Sequence, residues 1–235
     1  MLEAGEIIVI LHCATIETSR DTMTRLVLVR HGETDWNISG RYQGQKDVPL
    51  NATGRQQEQA LARRLHSMEI DAIYSSDLSR ASDTAELIAK SVGKRANLRR
   101  ELREVDVGVW CGHTFAEMER EYPNHIAQWL SDPARTPRLH GESYTQLQDR
   151  VLAFVKEILE KHQGQNVLIV THGAVIGILL CSALGLDLGK RPNWQIDNGS
   201  ISIIRFDDND VAKIELINDV CHLPAEFAPR PSDYM

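Results

Sequence analysis

No apolar run in the 235 residues approaches the ~18 that a membrane-crossing helix requires. The sequence therefore predicts no membrane span. An excess of positive charge is missing too: 26 Lys+Arg stand against 33 Asp+Glu, a net charge of −7. A general nucleic-acid or acidic-membrane binder carries the opposite balance. Any anionic ligand must then be held by a local basic cluster working against the global field. Cysteine is sparse (Cys13, Cys111, Cys181 and Cys221) and forms no CxxC pair. That usage reads as reduced thiols in a cytoplasmic protein. Repeats, low-complexity tracts and linkers long enough to split the chain are absent, so one main domain is expected.

Residues 1–22 look detached from the rest of the chain. Their nearest approach to a signal core, Ile7–Leu11, is short, and Glu3 and Glu6 precede it where a signal peptide carries positive charge. Two readings stay open: translation begins at Met23, or Glu6–His12 adds an edge strand. The expected organisation is an extension over 1–22 and a single domain over 23–235, capped at about 105–142.

Leu26–Val27–Leu28–Val29 reads as a buried strand that stops at Arg30–His31–Gly32. Ile38–Asn51 is a polar loop, and Thr53–Gly54 opens a helical pattern through Leu65. Ala72–Tyr74 is a short strand, Ser79–Val92 a helix, and Leu98–Leu102 a weak strand. Short helical pieces cover Thr114–Glu121 and Asn124–Leu130. Ser143–His162 is the longest amphipathic helix. Val167–Val170 is a strand stopping at Thr171–His172–Gly173, followed by a small-residue helix over Ala174–Leu184. Strands near Ile201–Phe206 and Val211–Leu216 close the chain. This order predicts an α/β three-layer sandwich: a mainly parallel central sheet flanked by helices, with a final antiparallel hairpin at one edge.

Two strands thus end alike, each delivering a histidine at a carboxyl end, where open α/β sheets collect their ligands. A third ends at Ser75–Ser76–Asp77 with Arg80 close behind, and Glu104 follows the weak strand. Taken singly, each has an ordinary structural explanation. Together, His31, His172, Arg30 and Arg80 make a pocket for a phosphate dianion, because guanidinium matches phosphate oxygens in pairs. A carboxylate there makes chemical sense chiefly as a proton carrier. Metal binding is the rival use of two histidines. The sequence lacks HExxH or a paired carboxylate–histidine spacing, and two arginines beside a metal are unfavourable. No metal or organic cofactor is expected.

Leu28–Val29–Arg30–His31–Gly32–Glu33–Thr34 with Trp36–Asn37 resembles the signature of the histidine phosphatase superfamily, phosphoglycerate mutase-like branch. Arg41–Tyr42–Gln43–Gly44, Asp47, Pro49–Leu50 and Thr53–Gly54 are similar to that branch's substrate loop and first helix start. Ser75–Ala81 with Thr84–Ala85, Leu102–Arg103–Glu104 with Gly108–Val109–Trp110, Gly141–Glu142–Ser143, Thr171–His172–Gly173, and Ile217–Asn218–Asp219 with His222–Leu223 come in the family's order. The resemblance implies that His31 takes up the phosphoryl group as a phosphohistidine. Arg30, Arg80 and His172 then bind phosphate oxygens, and Asn37 adds a donor. Thr34, Gln43, Gly44, Thr171 and Gly173 are the further substrate-binding candidates. Glu104 protonates the leaving oxygen and activates water, with Asp106 and Glu142 as competing carboxylates.

Mutases of the family carry an insertion around the acid with a Glu–Arg–His–Tyr–Gly-like sequence, whereas this chain has Arg103–Glu104–Val105–Asp106–Val107–Gly108. That departure favours water as acceptor, hence hydrolysis of a small-molecule phosphomonoester by a monomer or homodimer. Phosphoglycerate mutase activity and a non-catalytic phospho-ligand-binding role are the alternatives; the latter type typically lacks the nucleophile or acid. Specificity is expected in Ile38–Val48 and Val105–Leu139. There Trp110, Phe115, Tyr122 and Trp129 form either an apolar wall or the core of the cap.

Overall fold

The computed structural model of the chain describes residues 23–189, 195–207 and 211–227. The Glu6–His12 strand and the alternative start at Met23 concern residues 1–22, outside the described residues.

Six strands form one sheet: β1 (Thr24–Arg30), β2 (Ala72–Ser75), β3 (Ala96–Leu98), β4 (Asn166–Thr171), β5 (Ile201–Phe206) and β6 (Ala212–Asp219). Their spatial order is β3-β2-β4-β1-β5-β6. The first four are mutually parallel; β5 runs antiparallel to β1, and β6 to β5. Leu26–Val29 and Val167–Val170 are fully buried, as expected for central strands covered on both faces.

Helices cover both faces. Val27 and Val29 pack with α2 (Ala52–Leu65) and α3 (Ser79–Ser91), whose Leu61, Leu65, Ala85 and Ile88 are buried. Leu26 and Leu28 face the opposite way, toward α6 (Tyr144–Lys161) and α7 (Gly173–Leu184). The alternation follows from the two-residue period of a strand. Each fully buried aliphatic or phenyl side chain on these faces contributes about 1.5–3 kcal/mol. The helix after β1 therefore lies on one face and the helix after β4 on the other. A crevice opens between the carboxyl ends of adjacent strands at such a switch. The register Arg30↔Thr171 brings both ends to the same level, so His31 and His172 emerge side by side.

Three differences from the sequence-based expectation have local causes. Leu98–Leu102 is not one strand: β3 ends at Leu98, the Arg99 N–H donates to the Ser75 carbonyl, and Arg100–Leu102 turns as a 3₁₀ helix with Leu102 buried. A one-turn helix, α1 (Asp35–Ile38), starts inside the His31 loop because Thr34 and Asn37 cap each other. The last strand begins at Ala212 and runs on to Asp219. The 105–142 stretch carries α4 (Phe115–Glu121) and α5 (Pro123–Ser131). Their starts are set by a Thr114–Glu117 capping box and by Pro123 in the first turn.

Candidate active site

A cavity of ≈ 560 Å³ opens over the carboxyl ends of β1 and β4. Arg30, His31, Asn37, Gln43, Gly44, Arg80, Glu104 and Gly173 all line it.

His31 is buried, and its Nδ1 lies 2.6 Å from the carbonyl oxygen of Gly32. A carbonyl only accepts, so Nδ1 carries the proton and Nε2 keeps its lone pair. Burial and the charges of Arg80 and Arg30 hold the imidazole pKa well below its ordinary value, against the raising effect of the Gly32 contact. His31 is thus neutral at pH 7. Gly32 has no room for a side chain, since a Cβ there falls 2.5 Å from the Gly54 carbonyl oxygen at the start of α2. Helix and loop are packed backbone to backbone, which fixes the ring's anchor.

Arg80, on the first turn of α3, is almost fully buried. Its Nε donates to His31 Nε2 at 3.3 Å, Nη1 to the Lys46 carbonyl and Nη2 to the Gly44 carbonyl, both at 2.8 Å. Burial lowers its pKa to about 10, with Glu104 and Asp47 opposing, so it stays charged at neutral pH. Gly44 presents its carbonyl from φ +51, a left-handed conformation that glycine adopts without strain. Arg30 donates to the Ile196 carbonyl and packs against Gly173.

His172 is fully buried beside His31, the ring centroids 5.0 Å apart. Its Nε2 meets the Ser76 hydroxyl at 2.8 Å, and its Nδ1 has no partner among the described residues. Burial first, then Arg80, His31, Arg30 and Arg150, depress its pKa well below the usual imidazole range.

Both oxygens of Glu104 accept backbone N–H groups, from Val105 at 2.8 Å and from Ala174 at the start of α7 at 3.2 Å. The competing carboxylates are otherwise engaged. Asp106 accepts from the Gly108 N–H. Glu142 takes a two-pronged pair from Arg150 and the Asp106 N–H. Neither lines the cavity.

Three candidates do not line the cavity. His172 is fully buried and does not reach its surface. Thr34 is fully buried, and its hydroxyl donates to Asn37 Oδ1 at 2.9 Å, so it orients Asn37. The Thr171 hydroxyl donates to the Leu102 carbonyl at 2.7 Å and tethers the segment that carries Glu104. Short polar side chains at strand and helix ends satisfy local backbone first. None of Trp110, Phe115, Tyr122 and Trp129 lines the cavity; Trp110 and Trp129 belong to the hydrophobic core that also holds Leu26 and Leu28.

Sequence reasoning missed Asn198, whose side-chain amide donates to the carbonyls of His31 and Gly32 and approaches Asn37 Oδ1. It ties the His31 loop to Asn37. The Asn198–Gly199 pair signals a turn, but nothing local points to a partner 166 residues away. Arg150 was missed likewise: from α6 it donates to the carbonyls of Glu101, Arg103 and Glu104.

The family model of the histidine phosphatase superfamily, branch 1, matches residues 26–220. The chain belongs to this superfamily. It is 35% identical to phosphoserine phosphatase 1 of Hydrogenobacter thermophilus over 86% of this chain and 95% of that protein. It is 38% identical to a probable phosphoglycerate mutase GpmB of Salmonella choleraesuis, over 86% and 96%. Among solved structures, YhfR of Bacillus stearothermophilus superposes with a TM-score of 0.79 at 34% identity, covering 85% of this chain and 98% of that one. The mixed α/β architecture is that of the histidine phosphatase fold, and the chain is a histidine phosphatase-type enzyme.

Proposed function

We propose that the protein hydrolyses a small phosphomonoester through a phosphohistidine on His31. The observation that carries this reading is the tautomer of His31, a residue on the cavity wall: Nδ1 carries the proton, and Nε2 keeps a lone pair to which Arg80 Nε donates. A neutral, oriented imidazole is a competent nucleophile, and phosphoryl transfer depends mainly on in-line positioning and charge neutralisation. Arg30, Arg80 and Asn37 line the cavity as donors. The unpartnered Nδ1 of His172 is one further polar atom behind them.

His31 Nε2 bonds to phosphorus as the ester P–O bond breaks. The departing oxygen takes a proton from Glu104. Glu104, now a carboxylate, accepts a proton from a water that attacks phosphorus, the P–N bond breaks, and Nε2 regains its lone pair with release of inorganic phosphate. Gln43, Gly44 and Gly173 bound the space for the ester. Thr34 and Thr171 act through Asn37 and the Glu104 segment.

The same reading makes the enzyme metal-independent and cytoplasmic, a monomer or homodimer, without nucleic acid or membrane as partner. It is supported by the absence of a CxxC pair and by the net charge of −7. Among the described residues no group of three or more metal-donor side chains occurs, and no helix is long and apolar enough to cross a membrane. The name of the GpmB relative favours a second reading, phosphoryl transfer between hydroxyls. A screen of phosphomonoesters in excess chelator tests both. Inorganic phosphate release supports hydrolysis; conversion of 3-phosphoglycerate to its 2-isomer without phosphate release supports the mutase.

A further inference from the structure

Arg138 lines the same cavity as His31 but belongs to no part of the phosphate cluster. It is 3% exposed. Its guanidinium carbon sits 4.6 Å from the ring centre of Tyr144, 5.4 Å from that of Trp129 and 5.5 Å from that of Trp110. Its side chain makes one hydrogen bond among the described residues, a long one of 3.4 Å from Nη1 to the Glu142 carbonyl, and Nε has no partner. Arg41, also on the cavity wall, is by contrast paired with Glu117 at 2.9 Å. A buried cation without a counter-ion is costly, and stacking on aromatic faces offsets only part of that cost. Gln43 repeats the pattern: it is buried on the cavity wall, and its Oε1 has no partner among the described residues.

We infer that Arg138 and Gln43 form a second subsite that receives a carboxylate on the alcohol portion of the substrate, with Gln43 Oε1 accepting from a hydroxyl or ammonium beside it. The inference rests on the phosphomonoesterase reading and narrows its substrate class. Three rings surround the guanidinium without accepting its N–H groups, and a planar carboxylate matches its N–H edge with two parallel bonds. Charge favours a carboxylate over a second phosphate. One guanidinium has no carboxylate partner among the described residues, and a carboxylate brings one negative charge where a phosphate brings close to two.

The test compares phosphoserine with phosphoethanolamine, which differ only by the carboxylate, and uses p-nitrophenyl phosphate as an ester with neither group. The wild type should favour phosphoserine over phosphoethanolamine by about 10- to 100-fold in kcat/KM, the span expected of hydrogen bonds to a charged group. Arg138→Met keeps the stem and loses the charge. It should erase that preference, mainly through KM, and leave p-nitrophenyl phosphate within about two-fold. Arg138→Lys, which keeps charge but not the fork, should recover part of it. An equal loss on all three esters makes Arg138 a packing residue and overturns the inference, as does a wild type indifferent to the carboxylate. If Arg138→Met fails to fold, the wild-type ratio and the lysine variant decide. If no ester is turned over, the hydrolase reading falls, and calorimetric titration of phosphoserine against phosphoethanolamine judges the subsite separately. Binding that needs both the carboxylate and Arg138 upholds it, and binding that ignores either refutes it.

Discussion

The Nε of Arg80 lies 3.3 Å from Nε2 of His31, so one arginine already addresses the nitrogen proposed to form the bond to phosphorus. The same side chain holds the carbonyls of Gly44 and Lys46. Arg80 therefore joins His31 to the Gly44–Lys46 loop in one group.

Arg80→Ala is expected to lower kcat by about 10²–10³-fold, the usual cost of removing one preorganised donor to developing charge. Arg80→Lys is expected to recover little of it, because one ammonium cannot reproduce a planar fork with three acceptors. Steady-state turnover of p-nitrophenyl phosphate measures both. A loss under ten-fold in the alanine variant contradicts this role.

His31→Ala is expected to abolish turnover, since the buried imidazole has no neighbouring substitute: His172 Nε2 is committed to Ser76. Rapid acid-free quench of the wild type with labelled substrate should trap a base-stable, acid-labile phosphoprotein, absent from the variant. Undiminished activity in His31→Ala rules out the mechanism. Activity should also persist in excess chelator; a loss restored by zinc or magnesium points to metal chemistry instead.

The paired histidines set a pH dependence. Both are held neutral by burial and by arginine charge, with pKa values well below the 6.5 of an unfolded histidine. Below about 6.5 the unfolded chain binds protons that the folded chain refuses, so stability falls as pH falls through that region. Each histidine contributes a slope of up to about 1.4 kcal/mol per pH unit there. Denaturant titrations between pH 7 and 5 should show this slope, and His31→Asn should reduce it. An unchanged slope in His31→Asn means that other groups control the acid limb.

The central sheet was legible because Leu26–Val29 and Val167–Val170 are continuous apolar runs, a pattern set by burial on both faces. His31 and His172 were legible for the same reason: they stop those runs. Leu98–Leu102 was misread because an edge strand with three paired residues leaves little periodic signal. Thr34 and Thr171 look like site residues in a linear motif, and only the side-chain directions show that they face backbone. Asn198 and Arg150 were invisible as site residues because the carbonyls they hold come from distant segments, and no local pattern encodes such a contact.

Glu104 and the leaving group provide the sharpest test of the assigned proton path. Its carboxylate lines the cavity, held by the N–H groups of Val105 and Ala174. Arg150 braces its backbone from α6, while Glu142 is spent on Arg150. An alkoxide leaving from an alkyl phosphate needs a proton in the transition state, and general acid help there is worth about 10²–10⁴-fold. A nitrophenolate departs without one. Glu104→Gln should therefore slow the phosphorylation step far more for an alkyl ester than for p-nitrophenyl phosphate. Single-turnover burst kinetics isolates that step from dephosphorylation, in which the same carboxylate activates water. Equal losses for both esters count against the assignment. A selective alkyl-ester loss in Asp106→Asn or Glu142→Gln moves the acid to that residue, although the bonds each already makes predict a loss of stability rather than of selectivity.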